Sequence, residues 1–407
     1  MPASVELKRS INLPLLTLYG LGNILGAGIY VLVGKVAGVA ALYAPIAFGV
    51  ACLVAAIAAL TYSEMAARFP VSAGEAVYVQ EGIGWRRLSI VVGLMISIAG
   101  LVSAATLCRG AVGYVQVFFD VPQWLAISGL IVALGALAIW GIMEAVTVAA
   151  LITLVEAAGL VLIVSVGAES FASIPERLPE LMPPVADTAV WQAILMGAFL
   201  AFYAFIGFED MVNVAEEVKS PQSNMPLGIL LALVIATVMY LLVSLVAVLT
   251  VAPSTLAESS APLAAVYQQA TGREPVIISL ISIFAVVNGA LIQIIMASRI
   301  LYGMGRQGWL HAVLGRVHPV RRTPVVATLL VTAVVWILAL GVPLVTLAKA
   351  TSFIVLAVFA LVNISLWRVK RRDPHPKGVK VFPAWVPVAG FILCTGLIAF
   401  EILSYVN

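Results

Sequence analysis

Apolar residues run along this chain in long blocks, with neither a strand's alternation nor the single stripe of a half-buried helix. A membrane-crossing helix needs about 20 mostly apolar residues. That ruler predicts eleven spans, at 13–39, 42–67, 88–118, 123–141, 144–168, 189–217, 225–251, 275–305, 324–341, 343–367 and 384–405. The connections between them are short and polar, and no linker, low-complexity tract or separate soluble domain interrupts the pattern. The expected fold is an all-α integral membrane protein, a single domain over 1–407.

Two spans depart from uniform apolarity. The first contains GNILGAGIY (Gly22–Tyr30), with three glycines and an asparagine at mid-membrane depth. Glycine disfavours a helix by about 1 kcal/mol relative to alanine, and a buried amide needs partners. The sixth contains AFIGFEDMV, with Gly207 followed by Glu209 and Asp210. Ala27 and Gly207 stand 180 residues apart, with five spans beginning at each break. A pair of glycine-interrupted spans in corresponding positions points to a transporter's binding site. The expected organisation is a five-plus-five inverted repeat, 1–168 and 189–367, with 384–405 an additional helix. Unwound backbone at this depth is tolerated where it faces protein or a cavity. A half-helix N-terminus there suits a carboxylate, and free carbonyls suit an ammonium. A site with both ends suits a zwitterion, which points to amino acids.

Composition supports the membrane reading and bears on chemistry. The chain is 63% hydrophobic and 10% charged, against about 25% charged in soluble domains. Seventeen of the 22 basic residues fall in alternate connections. Basic residues mark cytoplasmic loops, so the N-terminus is expected inside, the C-terminus outside, and the location is the plasma (inner) membrane. The N-terminal residues show no cleavable signal pattern. Cys52, Cys108 and Cys394 lie in apolar runs and read as small hydrophobes. His311, His318 and His375 are scattered, and no metal site, cofactor or nucleic-acid partner is expected. The oligomeric state is not set by any of these features.

Four motifs then carry a resemblance. NILGAGIYVLVG in the first span, YSEMAARFPVSAGEAVYVQEGIG after the second, AFIGFEDMVNVAEEVKSPQSNMPLGI at the sixth and ASRILYGMGRQGWLHAVLGRVHPVRRTPVVA after the eighth are similar to the amino acid–polyamine–organocation superfamily of transporters. They occur in order across both halves. The resemblance implies helices 1 and 6 broken at the midplane and alternating access around a site between them. It implies that N–H groups around Gly26, Ala27 and Gly28 hold a substrate carboxylate, with Asn23 and Ile24 at the preceding turn. It implies that carbonyls around Phe205, Ile206 and Gly207 take the α-amino group. Tyr203 matches the gating aromatic position, and Gln293 a position touching the substrate side chain.

Ionisable residues at membrane depth are functional candidates. Glu156 in the fifth span is read either as a proton carrier or as a hydrogen-bonded staple to the first span. Some proton-coupled relatives carry a lysine near this position, and this chain departs from that pattern. Glu209 is read either as a proton carrier or as an anchor for the unwound segment. Asp210, Glu216 and Glu217 are expected to be solvated, and Arg109, Lys35 and Lys349 to snorkel. Asn288 and Gln293 can equally bond a neighbouring helix. Trp85, Trp124, Trp191, Trp309 and Tyr405 read as interfacial anchors.

The function expected is secondary active amino acid transport, by proton symport or exchange. No phosphate-binding loop with its Lys-Ser/Thr is present, and the stretch NGALIQIIMASR of the eighth span offers only the Ser298 hydroxyl, close to the cytoplasmic end, for sodium. The alternatives are an amino acid sensor of transporter fold, which would carry a long soluble tail, and a polyamine or amine transporter. An enzyme is not expected, because the spans hold no convergent catalytic set.

Overall fold

Pro14 and Asn12 set the start of the first helix. The Asn12 side chain accepts from the Leu15 N–H at 3.1 Å, and proline occupies the first turn, where its missing N–H costs nothing. The computed structural model describes residues 9–26, 28–71, 74–140, 146–306, 308, 310–318 and 323–404. Among them the structure is helical, with one isolated bridge, Ile11 to Val218, outside the helices. The helices are α1 (Leu13–Leu25), α2 (Gly28–Ala40), α3 (Ala44–Arg68), α4 (Gly74–Ile83), α5 (Arg86–Val115), α6 (Gln123–Trp140), α7 (Val146–Val166) and α8 (Ile174–Leu181). They continue with α9 (Thr188–Phe202), α10 (Pro221–Thr250), α11 (Pro253–Glu258), α12 (Pro262–Thr271), α13 (Val276–Arg306), α14 (Val325–Gly341), α15 (Leu344–Arg372) and α16 (Trp385–Ser404).

Each expected span coincides with a helix, or a broken pair of helices, to within a few residues. By length and apolarity seven helical stretches can cross a membrane, the first being the 56-residue Leu13–Arg68. A pair bent by 48°, Ala150–Val166 with Ala168–Leu181, makes eight, and Gln123–Ile139 and Val325–Gly341 are shorter apolar helices. The chain is thus an all-α, multi-pass membrane protein.

The broken helices sit at the centre. α1 packs on α7 and α10, α2 on α9 and α11, and α3 on α9 and α10. α5 lies along α13, with α15 beside it, while α6 and α14 pair further out. Close approach is possible because the buried face of α3 is built from Ala47, Ala51, Ala55, Ala58 and Ala59; without a hydrophobic drive between helices in lipid, small residues let backbones meet. Outer faces expose Val132, Val234, Ile337 and Ile392, apolar side chains suited to lipid. Trp85 and Trp124 are exposed at helix ends, as interfacial anchors would be; Trp309 and Tyr405 lie outside the described residues.

Basic residues gather at one end. Glu64, fully buried, takes Arg68 Nε at 3.0 Å and Nη2 at 2.8 Å on one oxygen. Its other oxygen takes Lys370 Nζ at 2.7 Å and the Phe382 N–H at 2.9 Å. Arg68 also donates to the Asp373 carbonyl at 2.9 Å. This network ties α3 to the end of α15 and to the segment before α16. At the opposite end Lys35 donates to the carbonyl of Ala257 and, at 3.4 Å, to that of Ser259, holding the α11 region over α2.

Candidate functional site

The two breaks meet backbone to backbone. α1 ends at Leu25, the N–H of the next residue, Gly26, still reaches the Gly22 carbonyl at 3.0 Å, and the helix resumes at Gly28. α9 ends at Phe202, passes through a tight helical turn at Tyr203–Phe205, and extends at Ile206. At Gly207 φ is +131°, and a Cβ there would lie 2.5 Å from the Asn23 carbonyl oxygen. A Cβ on Gly28 would lie 2.0 Å from the Ala204 Cα. Only glycine lets these segments touch, which is why both breaks carry it.

Freed backbone groups find partners. The Tyr240 hydroxyl of α10 lies 2.6 Å from the Ile24 carbonyl and 2.9 Å from that of Ala204, so one donor serves both breaks. The Gly207 N–H donates to Glu209 Oε2 at 2.8 Å. That geometry is the anchoring arrangement considered for Glu209. The Asn23 Nδ2 is buried and has no acceptor among the described residues. An unmet donor of this kind costs about 1–3 kcal/mol.

A small cavity lies at the junction. Of the residues expected to bind substrate, Asn23, Ile24, Gly28, Tyr203, Ile206 and Gln293 line it. Gly26 and Gly207 shape the backbone beside it, and Ala27 lies outside the described residues. Phe205 turns away, its ring edge-on to Tyr240 at 5.2 Å. Ser103 and Leu107 of α5, and Gly289 and Ile292 of α13, complete the lining; as small or apolar residues in apolar helices they carried no distinguishing signal. The free space is about 20 Å³, room for about one water. Tyr203 spans it, its hydroxyl 2.9 Å from Ser103 Oγ. An amino acid fits only after the walls move apart. Towards the basic end the cavity is backed by packed rings: Phe208 and Phe359 at 5.3 Å, Tyr62 and Phe208 at 5.6 Å, Phe202 and Phe359 at 5.9 Å.

The charged residues settle differently from expectation in two places. Asp210 is 5% exposed, not solvated. It lies in the first turn of a tight helix, Glu209–Glu217, that starts directly after the break, and Asp210 Oδ2 accepts from Gln293 Nε2 at 3.3 Å. Glu216 and Glu217 are half-buried. Lys349 does not snorkel alone: its Nζ lies 2.7 Å from Glu401 on α16. Glu156 is fully buried, its main-chain carbonyl accepting from the Tyr30 hydroxyl at 2.6 Å and its Oε1 facing Asn288 Nδ2 at 3.5 Å. It therefore joins α7 to α2 and α13. Arg109 donates to the Ala339 carbonyl at 2.7 Å, near the end of α14. Among the described residues no cluster of His, Cys, Asp and Glu is arranged to hold a metal.

Comparison with known proteins gives consistent results. The profile of a family described as amino acid permease matches residues 11–406. The branched-chain amino acid permease of Bacillus subtilis is 27% identical, covering 98% of this chain and 94% of that protein. The methylthioribose transporter of the same organism is 28% identical, over 96% of this chain and 87% of its own. The vacuolar cationic amino acid transporter 4 of Arabidopsis thaliana is 30% identical, over 88% of this chain and 63% of its own.

Proposed function

The chain belongs to the amino acid permease family, and from that premise we propose that it is a secondary transporter carrying an α-amino acid by alternating access around the cavity between the two breaks, driven by proton symport or by exchange. The observation that carries this reading is the backbone contact of the breaks at Gly28 and Gly207, with Asn23, Tyr203 and Gln293 around one cavity. The N-terminus of α2, from Gly28, offers N–H groups and partial positive charge to a carboxylate, whereas the Gly26 N–H expected to share that role is held by the Gly22 carbonyl. Carbonyls of Phe205, Ile206 and Gly207 offer acceptors to an ammonium. The orphaned Asn23 amide supplies a further donor at the carboxylate side. Leu107 and Ile292 leave an apolar side-chain space, which favours a neutral side chain; relatives named for branched-chain and for cationic amino acids span that choice.

The cycle follows from the two closures. Rings around Phe208 and Phe359 bar the basic end, and the α11 region held by Lys35 covers the other. Each must open in turn while the breaks stay in contact. In this reading 1–168 and 189–367 are the two inverted repeats and 384–405 is an added helix. The basic end faces the cytoplasm, with the N-terminus inside and the C-terminus outside a plasma (inner) membrane.

Proteoliposomes test this directly. Vesicles containing the protein are loaded with one amino acid and diluted into the same amino acid carrying a radiolabel, with and without an imposed proton gradient. Accumulation with a proton gradient alone marks symport, and accumulation only with internal amino acid marks exchange. No accumulation of any of the protein amino acids, despite binding, would leave a sensor as the better reading.

A further inference from the structure

One buried carboxylate beside the site belongs to none of the spans. Glu75 lies in the first turn of α4, between α3 and α5, yet is only 5% exposed. Its surroundings can be taken element by element. From α3, the Tyr62 hydroxyl donates to Glu75 Oε1 at 3.4 Å. From α4 itself, Tyr78 lies within electrostatic reach; its ring is edge-on to Tyr62 at 6.2 Å, and its hydroxyl is buried with no partner among the described residues. From the turns after the second break, Asp210 faces Glu75, and Glu209 stands close to both. From α5, Ser89 is committed to Gln80 at 3.2 Å. From α15, the cations Arg368 and Arg372 serve carbonyls of Glu81, Gly82 and Ile83, at the far end of α4. Among the described residues no ion pair reaches Glu75, Glu209 or Asp210.

Three carboxylates buried together without a cation repel one another strongly when ionised. Burial first, and then the charge of Asp210, pushes the Glu75 carboxyl up to about 8. Contact with the cavity runs through Asp210, which holds the amide of Gln293, a cavity-lining residue.

We infer that Glu75 is the group through which a proton joins and leaves the transport cycle at the basic end, with Asp210 and Gln293 carrying its charge state to the substrate cavity. This rests on the proton-coupled reading above. While Glu75 is neutral, α4 packs on the turns Glu209–Glu217 and Asp210 keeps Gln293 in place. When Glu75 releases its proton to water at the basic end, one O–H bond breaks and a second negative charge faces Asp210. The seam between α4 and those turns is then driven open, and Gln293 is released towards the cavity. Glu75 touches no substrate in this scheme; it is a positioning residue acting through Asp210.

Proteoliposomes and a radiolabelled mixture of the protein amino acids read the effect. With a midpoint near 8, the protonated fraction, and with it wild-type uptake, falls about tenfold between pH 7 and pH 9. Glu75→Gln cannot titrate, so its uptake changes less than about twofold over the same range, whatever its absolute level. Tyr62→Phe removes a bond that favours the charged form, so its pH midpoint moves upward; it serves if Glu75→Gln folds poorly. If both variants keep the wild-type profile, the assignment of Glu75 is wrong while proton coupling stands. If wild-type uptake ignores both pH and an imposed proton gradient, coupling itself fails, and the inference falls with it.

Discussion

The two breaks solve one problem in different ways. The first is brief: Gly26 keeps its bond to Gly22, and a regular helix resumes at Gly28. No charged side chain lies within it. The second is long: a tight turn, an extended residue, a glycine at positive φ, then nine residues of tight helix carrying Glu209 and Asp210. Its N–H at Gly207 is held by a side chain, and Asp210 reaches across to α13. On the proposed reading the first break is a backbone cradle with fixed partial charge, and the second a hinge whose hydrogen bonds run through Glu209 and Asp210. In the proposed cycle the first break holds the carboxylate, while the second, besides offering carbonyls to the ammonium, carries the response.

The largest effect expected comes from the glycines on which the contact depends. Gly28→Ala puts a Cβ against the Ala204 backbone, and Gly207→Ala puts one against the Asn23 carbonyl. Such overpacking costs about 1–3 kcal/mol or more, and positive φ at 207 adds to it. Uptake in proteoliposomes should fall at least to about a tenth for each, with a lowered unfolding midpoint. A Gly28→Ala protein of unchanged activity would show that the halves are not in contact in the working cycle.

Tyr240→Phe comes next, because it strips the donor shared by both breaks. Leaving buried carbonyls unmet costs about 1–3 kcal/mol, read as a lower thermal midpoint. Glu209→Gln should cost less, about 1 kcal/mol, since an amide oxygen can still accept from the Gly207 N–H in a geometry set for a carboxyl. Its effect should be confined to the second break: amino acid affinity changes little while turnover slows. Equal loss of both would erase the distinction between cradle and hinge.

The smallest effect is on stability against pH. Glu75 moves from 4.5 to about 8 on folding, so the folded state holds a proton that the unfolded chain has lost. Stability is then full below about 4.5 and declines as pH rises through about 8. Thermal unfolding across that window should show the decline in wild type and a flatter curve in Glu75→Gln.

Much of this was legible in the sequence, for identifiable reasons. Continuous apolar blocks predict helix positions closely because the lipid thickness sets their length. Glycines flanked by apolar residues mark both breaks, because nothing else lets two main chains touch in mid-membrane. Tyr240 was not legible as a bridge: a tyrosine in an apolar helix signals a partner for its hydroxyl, but only the fold shows that the partners are Ile24 and Ala204. Asp210 misleads because the sequence after Gly207 reads as an exit towards water, whereas the first tight turn after the break is still buried and sets Asp210 against Gln293 of α13. Lys349 and Glu401 each look like a lone charge near a helix end; their pairing depends on how α16 lies against α15. The closeness of Glu75 to Asp210 crosses from a connecting helix to a broken span, a separation no local pattern encodes.

The central claim is that the start of α2 holds a carboxylate. Isothermal titration of the purified protein with an amino acid, its methyl ester and its decarboxylated amine tests it most directly. Two charge-assisted N–H bonds, at about 1.5–3 kcal/mol each, predict that the ester and the amine bind at least about a hundredfold more weakly than the amino acid. An amine binding as tightly as its parent amino acid would contradict the assignment and move the substrate to the amines.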